Sequence, residues 1–100
     1  MVDKLRRYRL SPLAQSDLED IWDYTGETWS VDQAARYHDG LIEAVEDLAA
    51  ARKTGREAGI RLGYCKFSIG RHVIFYREHA DFIDVIRILH QKMDADARLS

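Results

Sequence analysis

Residues 60–90, from Ile60 to His90, read IRLGYCKFSIGRHVIFYREHADFIDVIRILH, and their pattern decides the fold. Ile60 to Ile69, His72 to Glu78 and Phe82 to His90 are rich in β-branched and aromatic residues. Gly70-Arg71 and His79-Ala80-Asp81 separate these stretches at spacings that suit two successive hairpins. A three-strand meander is expected. Val85-Ile86-Arg87-Ile88-Leu89 is almost continuously apolar, as a central strand covered on at least one face requires. A guanidinium in that run needs a partner, and an acidic residue on a helix is the expected one.

Upstream, Ser11-Pro12 signals a helix start: the serine can cap, and proline fits the first helical position. Ala14, Leu18, Ile21, Trp22, Thr25 and Trp29 recur at helical spacing and form an inward stripe. Asp17, Asp20, Asp23 and Glu27 read as a solvated face. After a turn at Gly26 to Ser30, a second helix runs to about Ala51, capped by Ser30 or Asp32. Its inward stripe is Ala34, Tyr37 or His38, Leu41, Val45 and Leu48, widened by Ile42. So short a turn makes the helices an antiparallel hairpin. Arg52 to Gly59 has no apolar period and reads as a mobile basic connector.

Before the helices, Leu5 to Leu10 alternates as a short strand with Arg7 and Arg9 outward. After the meander, Asp94 can cap one last helical turn. The order is β-α-α-β-β-β, an α+β fold with a helical hairpin packed on an antiparallel sheet. One domain over residues 1–100 is expected. Leu18, Ile21, Trp22, Leu41, Val45 and Leu48 should face Ile74, Tyr76, Ile86 or Ile88.

The chain is 46% hydrophobic, enough for a core, but no apolar run approaches the ~20 residues of a membrane span. Met1 to Arg7 is charged with no apolar stretch behind it, so a cytoplasmic protein without a secretory leader is expected. Cys65, the sole cysteine, excludes an internal disulfide or a paired-cysteine metal clamp, and reads as a small core or edge residue. Phosphate-loop, zinc-protease and nucleophile-elbow motifs are missing, and no metal or cofactor is expected.

The net charge of −2 argues against coating nucleic acid by bulk electrostatics, and no sequence-specific nucleic-acid binding is expected. The charge is uneven. Residues 1–50 hold five basic and eleven acidic side chains, whereas residues 51–100 hold ten and six. Strand pairing can gather Lys66, Arg71, His72, Arg77, His90 and Lys92 into a cationic surface, and these are the target-binding candidates.

Ser11 to Thr25 (SPLAQSDLEDIWDYT), Gly63 to Arg77 (GYCKFSIGRHVIFYR) and Val85 to Asp94 (VIRILHQKMD) together resemble the ParE branch of the RelE/ParE toxin superfamily. The likeness runs over roughly residues 7–95, with the blocks in family order. It implies the same helical hairpin on a sheet. It also implies the toxin of a type II toxin–antitoxin system, held silent by a ParD-like antitoxin in a higher-order hetero-oligomer. ParE-like toxins are associated with inhibition of DNA gyrase, whereas RelE-like relatives cleave mRNA on the ribosome.

A binding toxin is the expectation. A ribosome-dependent mRNA endoribonuclease is the alternative, and a non-toxic interaction domain on the same fold is a third reading. Cleavage needs a proton acceptor, a proton donor and cations. His90 is the candidate catalyst, but Gln91-Lys92-Met93 follows it and no tyrosine occurs after Tyr76. For the antitoxin, Trp22, Tyr24 and Trp29 on the helices and Arg7 and Arg9 on the first strand are the candidate contacts. Two departures stand out: the connector lacks the family's frequent proline, and the family's Gly-Tyr-Arg appears as Gly63-Tyr64-Cys65, with Lys66 next door.

Overall fold

The computed structural model describes residues 7–99. Leu5 and Arg6, read as the start of the first strand, lie outside the described residues. The elements are β1 (Arg7–Leu10), α1 (Pro12–Thr28), α2 (Val31–Ala49), β2 (Arg56–Glu57), β3 (Cys65–Ile69), β4 (His72–Glu78), β5 (Phe82–His90) and α3 (Ala95–Leu99). The sheet has five strands in the order β1-β5-β4-β3-β2.

Ser11 starts α1 as its chemistry requires: its Oγ accepts from Ala14 N at 3.0 Å. The same hydroxyl donates to the Ile86 carbonyl at 2.7 Å, joining the helix start to the sheet. Ser30 Oγ caps α2 by accepting from Gln33 N at 3.0 Å. Ala14, Leu18 and Thr25 of α1 are buried, as are Ala34, Leu41, Val45 and Leu48 of α2. Trp29 departs from the expected stripe because it is the residue that ends α1, and it turns out to solvent. Trp22 sits at the stripe's outer margin.

Two findings differ from the expected sheet. The pair β1–β5 is parallel, since two helices carry the chain back before β5 is laid down, so the sheet is mixed. The connector also docks: Arg56 and Glu57 pair with Lys66 and Cys65 as a fifth strand. Gly55 permits this approach, because a Cβ there would lie 2.5 Å from the Lys66 carbonyl and from Tyr76 Oη.

A bulge organises β5. Phe75 pairs with Arg87 and Tyr76 with Val85, so Ile86 is the extra residue. Val85 and Ile88 thereby both reach the helix side, packing with Ile74, Tyr76, Leu41, Val45 and Leu48. Ile86 goes to the other face instead of meeting the helices. There Phe75, Leu89, Ala58 and Leu99 form a second cluster, roofed by the connector and α3.

Candidate functional site

β1 stops opposite Val85, so the rest of β5 presents a free edge toward α1. Asp17 fills it. Its carboxylate accepts from Arg87 Nε and Nη2 at 2.8 Å each, and from the Ile88 backbone N at 2.9 Å. Both side chains are nearly enclosed, at 12% and 11% exposed. Hydrogen bonding to Asp17 holds the Arg87 pKa above its ordinary value, more than offsetting desolvation. The expected ion pair of Arg87 with a helix carboxylate is therefore present, and Asp17 leaves the solvated series in which the sequence placed it.

A cleft of about 140 Å³ opens beside this pair, lined among others by Asp20, His72, His90, Met93 and Arg98. His72 and His90 are register partners with ring centroids 5.3 Å apart, edge to face. Tyr37 Oη lies 2.6 Å from His72 Nδ1 and accepts from the Arg71 backbone N at 3.3 Å. The Tyr37 hydroxyl and His72 Nδ1 are thus engaged with each other in one short hydrogen bond. The Lys92 backbone N donates to His90 Nδ1 at 3.1 Å, so that nitrogen serves as an acceptor. Burial first, then the neighbouring His90, lowers the His72 pKa, with Asp17 acting the other way. Nδ1 of each ring is thus engaged within the protein.

Tyr37 also explains the tight turn between β3 and β4. Gly70 has a φ of +56°, and a Cβ there would lie 2.8 Å from Tyr37 Oη. Burial raises the pKa of that hydroxyl. Arg71 and Lys92 flank the same end of the sheet, where Gln91 N donates to the Arg71 carbonyl at 2.8 Å.

The expected single cationic surface is divided by the strand pleat. Arg71, His72, His90 and Lys92 gather at this end, with the two imidazoles on the helix side. Lys66, opposite Phe75, and Arg77, 5.8 Å from the Tyr64 ring, face away from the helices. Arg7 and Arg9 share that outer face by alternation, since Tyr8 and Leu10 pack against the helix-side core. Arg9 bonds Asp84 at 3.2 Å and lies 5.0 Å over the Phe82 ring. The remaining candidates are on the helices: Tyr24 is 68% and Trp29 74% exposed, and Trp22 meets His38 edge-on at 5.7 Å. Sequence reasoning missed Tyr37 as the partner of His72, and Arg56, Arg61 and Tyr64 as neighbours of Lys66 and Arg77. The period-two spacing of Tyr64 and Lys66 was the signal for the last group.

These elements compare closely with known proteins. The family model described as "ParE toxin of type II toxin-antitoxin system, parDE" matches residues 8–95. The chain belongs to the ParE toxin family. Toxin ParE1 of Mycobacterium tuberculosis is 50% identical over 95 residues, covering 93% of this chain and 97% of the relative. Toxin ParE1 of Caulobacter vibrioides is 41% identical over 96 residues, covering 95% and 99%. Among solved structures, the chromosomal ParDE toxin–antitoxin system of P. aeruginosa gives a TM-score of 0.74 at 16% identity, covering 88% of this chain and 98% of that one. The RelBE2 toxin–antitoxin complex of M. tuberculosis gives 0.62 at 18% identity, covering 85% and 96%. This ParE-family chain is the toxin of a type II toxin–antitoxin system, on the RelE/ParE fold. Among the described residues no helix is long and apolar enough to cross a membrane.

Proposed function

We propose that this ParE-family toxin arrests bacterial growth by binding DNA gyrase in the cytoplasm, without cleaving RNA. A ParD-like antitoxin neutralises it in a higher-order complex. The family supports the toxin role, and the names of the neighbours, ParDE and RelBE2 complexes, support an antitoxin partner. One observation carries the choice of binding over cleavage. The candidate catalyst His90 spends its Nδ1 lone pair on the Lys92 backbone N–H, so its uncharged ring carries the proton on Nε2 and has no free lone pair to take a 2′-hydroxyl proton. Two experiments test it together. Purified toxin titrated into a gyrase supercoiling reaction should inhibit it, and induced expression should give filamentation with a DNA-damage response. Rapid arrest of translation with cut mRNA, and supercoiling left intact, would establish the nuclease reading instead.

A further inference from the structure

The pleat of the outer strands sorts charge by sign. Arg56 of β2 stands directly opposite Lys66 of β3, and Lys66 opposite Phe75, all on the face turned from the helices. Tyr64, two residues before Lys66, packs with the second cluster on that same face. Arg61 and Arg77 lie over its ring, 5.3 and 5.8 Å from the centroid. The carboxylates of these strands, Glu57 and Glu78, alternate to the helix side, where both help burial to raise the Cys65 pKa. Asp84, the register partner of Arg77, is held by Arg9. Among the described residues no ion pair engages Arg56, Arg61, Lys66 or Arg77. Like charges set opposite each other across two strands, as Arg56 and Lys66 are, cost stability.

We propose that this stripe (Arg56, Lys66, Arg61 and Arg77 around Tyr64) docks an acidic, extended segment of the toxin's target protein. The proposal rests on the binding-toxin reading and adds a surface to it. Charge complementarity selects an anionic partner, and β2, the outermost strand, lets an extended chain lie alongside. Leu62, next to Arg61 in the chain and 97% exposed, adds an apolar side chain available to a partner. A nucleic acid fits poorly: a base stacking on Tyr64 would compete with two guanidiniums already 5.3 and 5.8 Å from the ring centroid, and the whole chain carries −2. The antitoxin also fits less well. A tight complex calls for apolar anchors, and the exposed aromatics Trp22, Tyr24 and Trp29 lie on the helix layer instead. A stripe of cations with one leucine suits a steered, reversible encounter.

The test compares the parent with Lys66→Glu/Arg77→Glu and with the charge-keeping Lys66→Arg/Arg77→Lys, each checked for folding by circular dichroism melting. Three readouts are taken: anisotropy of a fluorescent deca-glutamate peptide, calorimetry with the cognate antitoxin, and inhibition of intact gyrase. The reversal should weaken peptide binding and gyrase inhibition about tenfold or more, while antitoxin affinity stays within about twofold. The charge-keeping variant should match the parent, and peptide binding should fall with added salt. Undiminished peptide binding by the reversal variant overturns the proposal. So does a loss of antitoxin affinity as large as the loss of inhibition, or tighter binding of an oligothymidylate than of the peptide. A parent toxin that never inhibits gyrase removes gyrase from the functional reading, and the peptide arm then decides the surface alone.

Discussion

Asp17 carries three hydrogen bonds from β5, and removing it strands two buried groups at once. Asp17→Ala leaves the Arg87 guanidinium without a counter-charge and the Ile88 N–H without an acceptor. Breaking one side of an enclosed pair costs ~3–5 kcal/mol, so the melting midpoint should fall by roughly 12 °C or more. Asp17→Asn keeps an acceptor oxygen and should lose less. Calorimetric or circular dichroism melts of the three proteins check the ranking. In the sequence Arg87 announced its need for a partner, because a lone cation in an apolar run is conspicuous. Asp17 did not, since its spacing from Asp20 and Glu27 is that of any wet helix face. His72 adds a pH dependence of definite sign. Its pKa lies below the ordinary 6.5, so the unfolded chain takes up that proton more readily than the folded one. Its contribution is whole above about pH 6.5 and drains as pH falls toward the native value. Thermal midpoints measured from pH 7 to 5 should decline more steeply in the parent than in His72→Gln.

At the scale of elements, α2 is held to the sheet by a row of fully enclosed side chains, of which Leu48 is 2% exposed. Leu48→Ala should cost ~2–5 kcal/mol, because packed neighbours collapse only partly into the space left. A denaturant melt with an unchanged slope and a lower midpoint is the expected result. Leu48 was legible, as were both serine caps and the meander, because each rests on periodicity or on local hydrogen-bond chemistry. The fifth strand was not. Two residues have no period, and Arg56–Glu57 is placed by Gly55, whose N–H donates to Tyr76 Oη at 2.9 Å. The direction of β1 was equally silent, since a four-residue strand reads the same whether its neighbour runs parallel or antiparallel. The bulge at Ile86 explains why residues 85–89 lack alternation: the extra residue lets Val85 and Ile88 share the helix-side core.

For the whole molecule, the charge asymmetry of the sequence becomes a layering. The acidic half supplies both long helices, and the basic half supplies four of the five strands. The molecule is a slab of 42 × 36 × 21 Å. The exposed aromatics lie on its helix layer, while Arg7 and Arg9 lie on the opposite sheet face at the β1 edge. An antitoxin segment that uses both must cross that edge. At ~3.3–3.6 Å per residue, about six or seven extended residues span the thin axis. A segment that orders only on binding loses several kcal/mol in doing so, and a tight complex then needs more than the ~1,600 Å² of a standard interface. Covering both faces would enlarge the interface toward that area. The Arg9–Asp84 pair separates this edge from the cations around Tyr64, so the two regions should respond to different variants. Arg7→Glu/Arg9→Glu should weaken binding of the cognate antitoxin more than it weakens gyrase inhibition, and Trp29→Ala should weaken the antitoxin alone. Calorimetry showing the double reversal with the parent's antitoxin affinity would mean that the segment stays on the helix layer and never rounds the β1 edge.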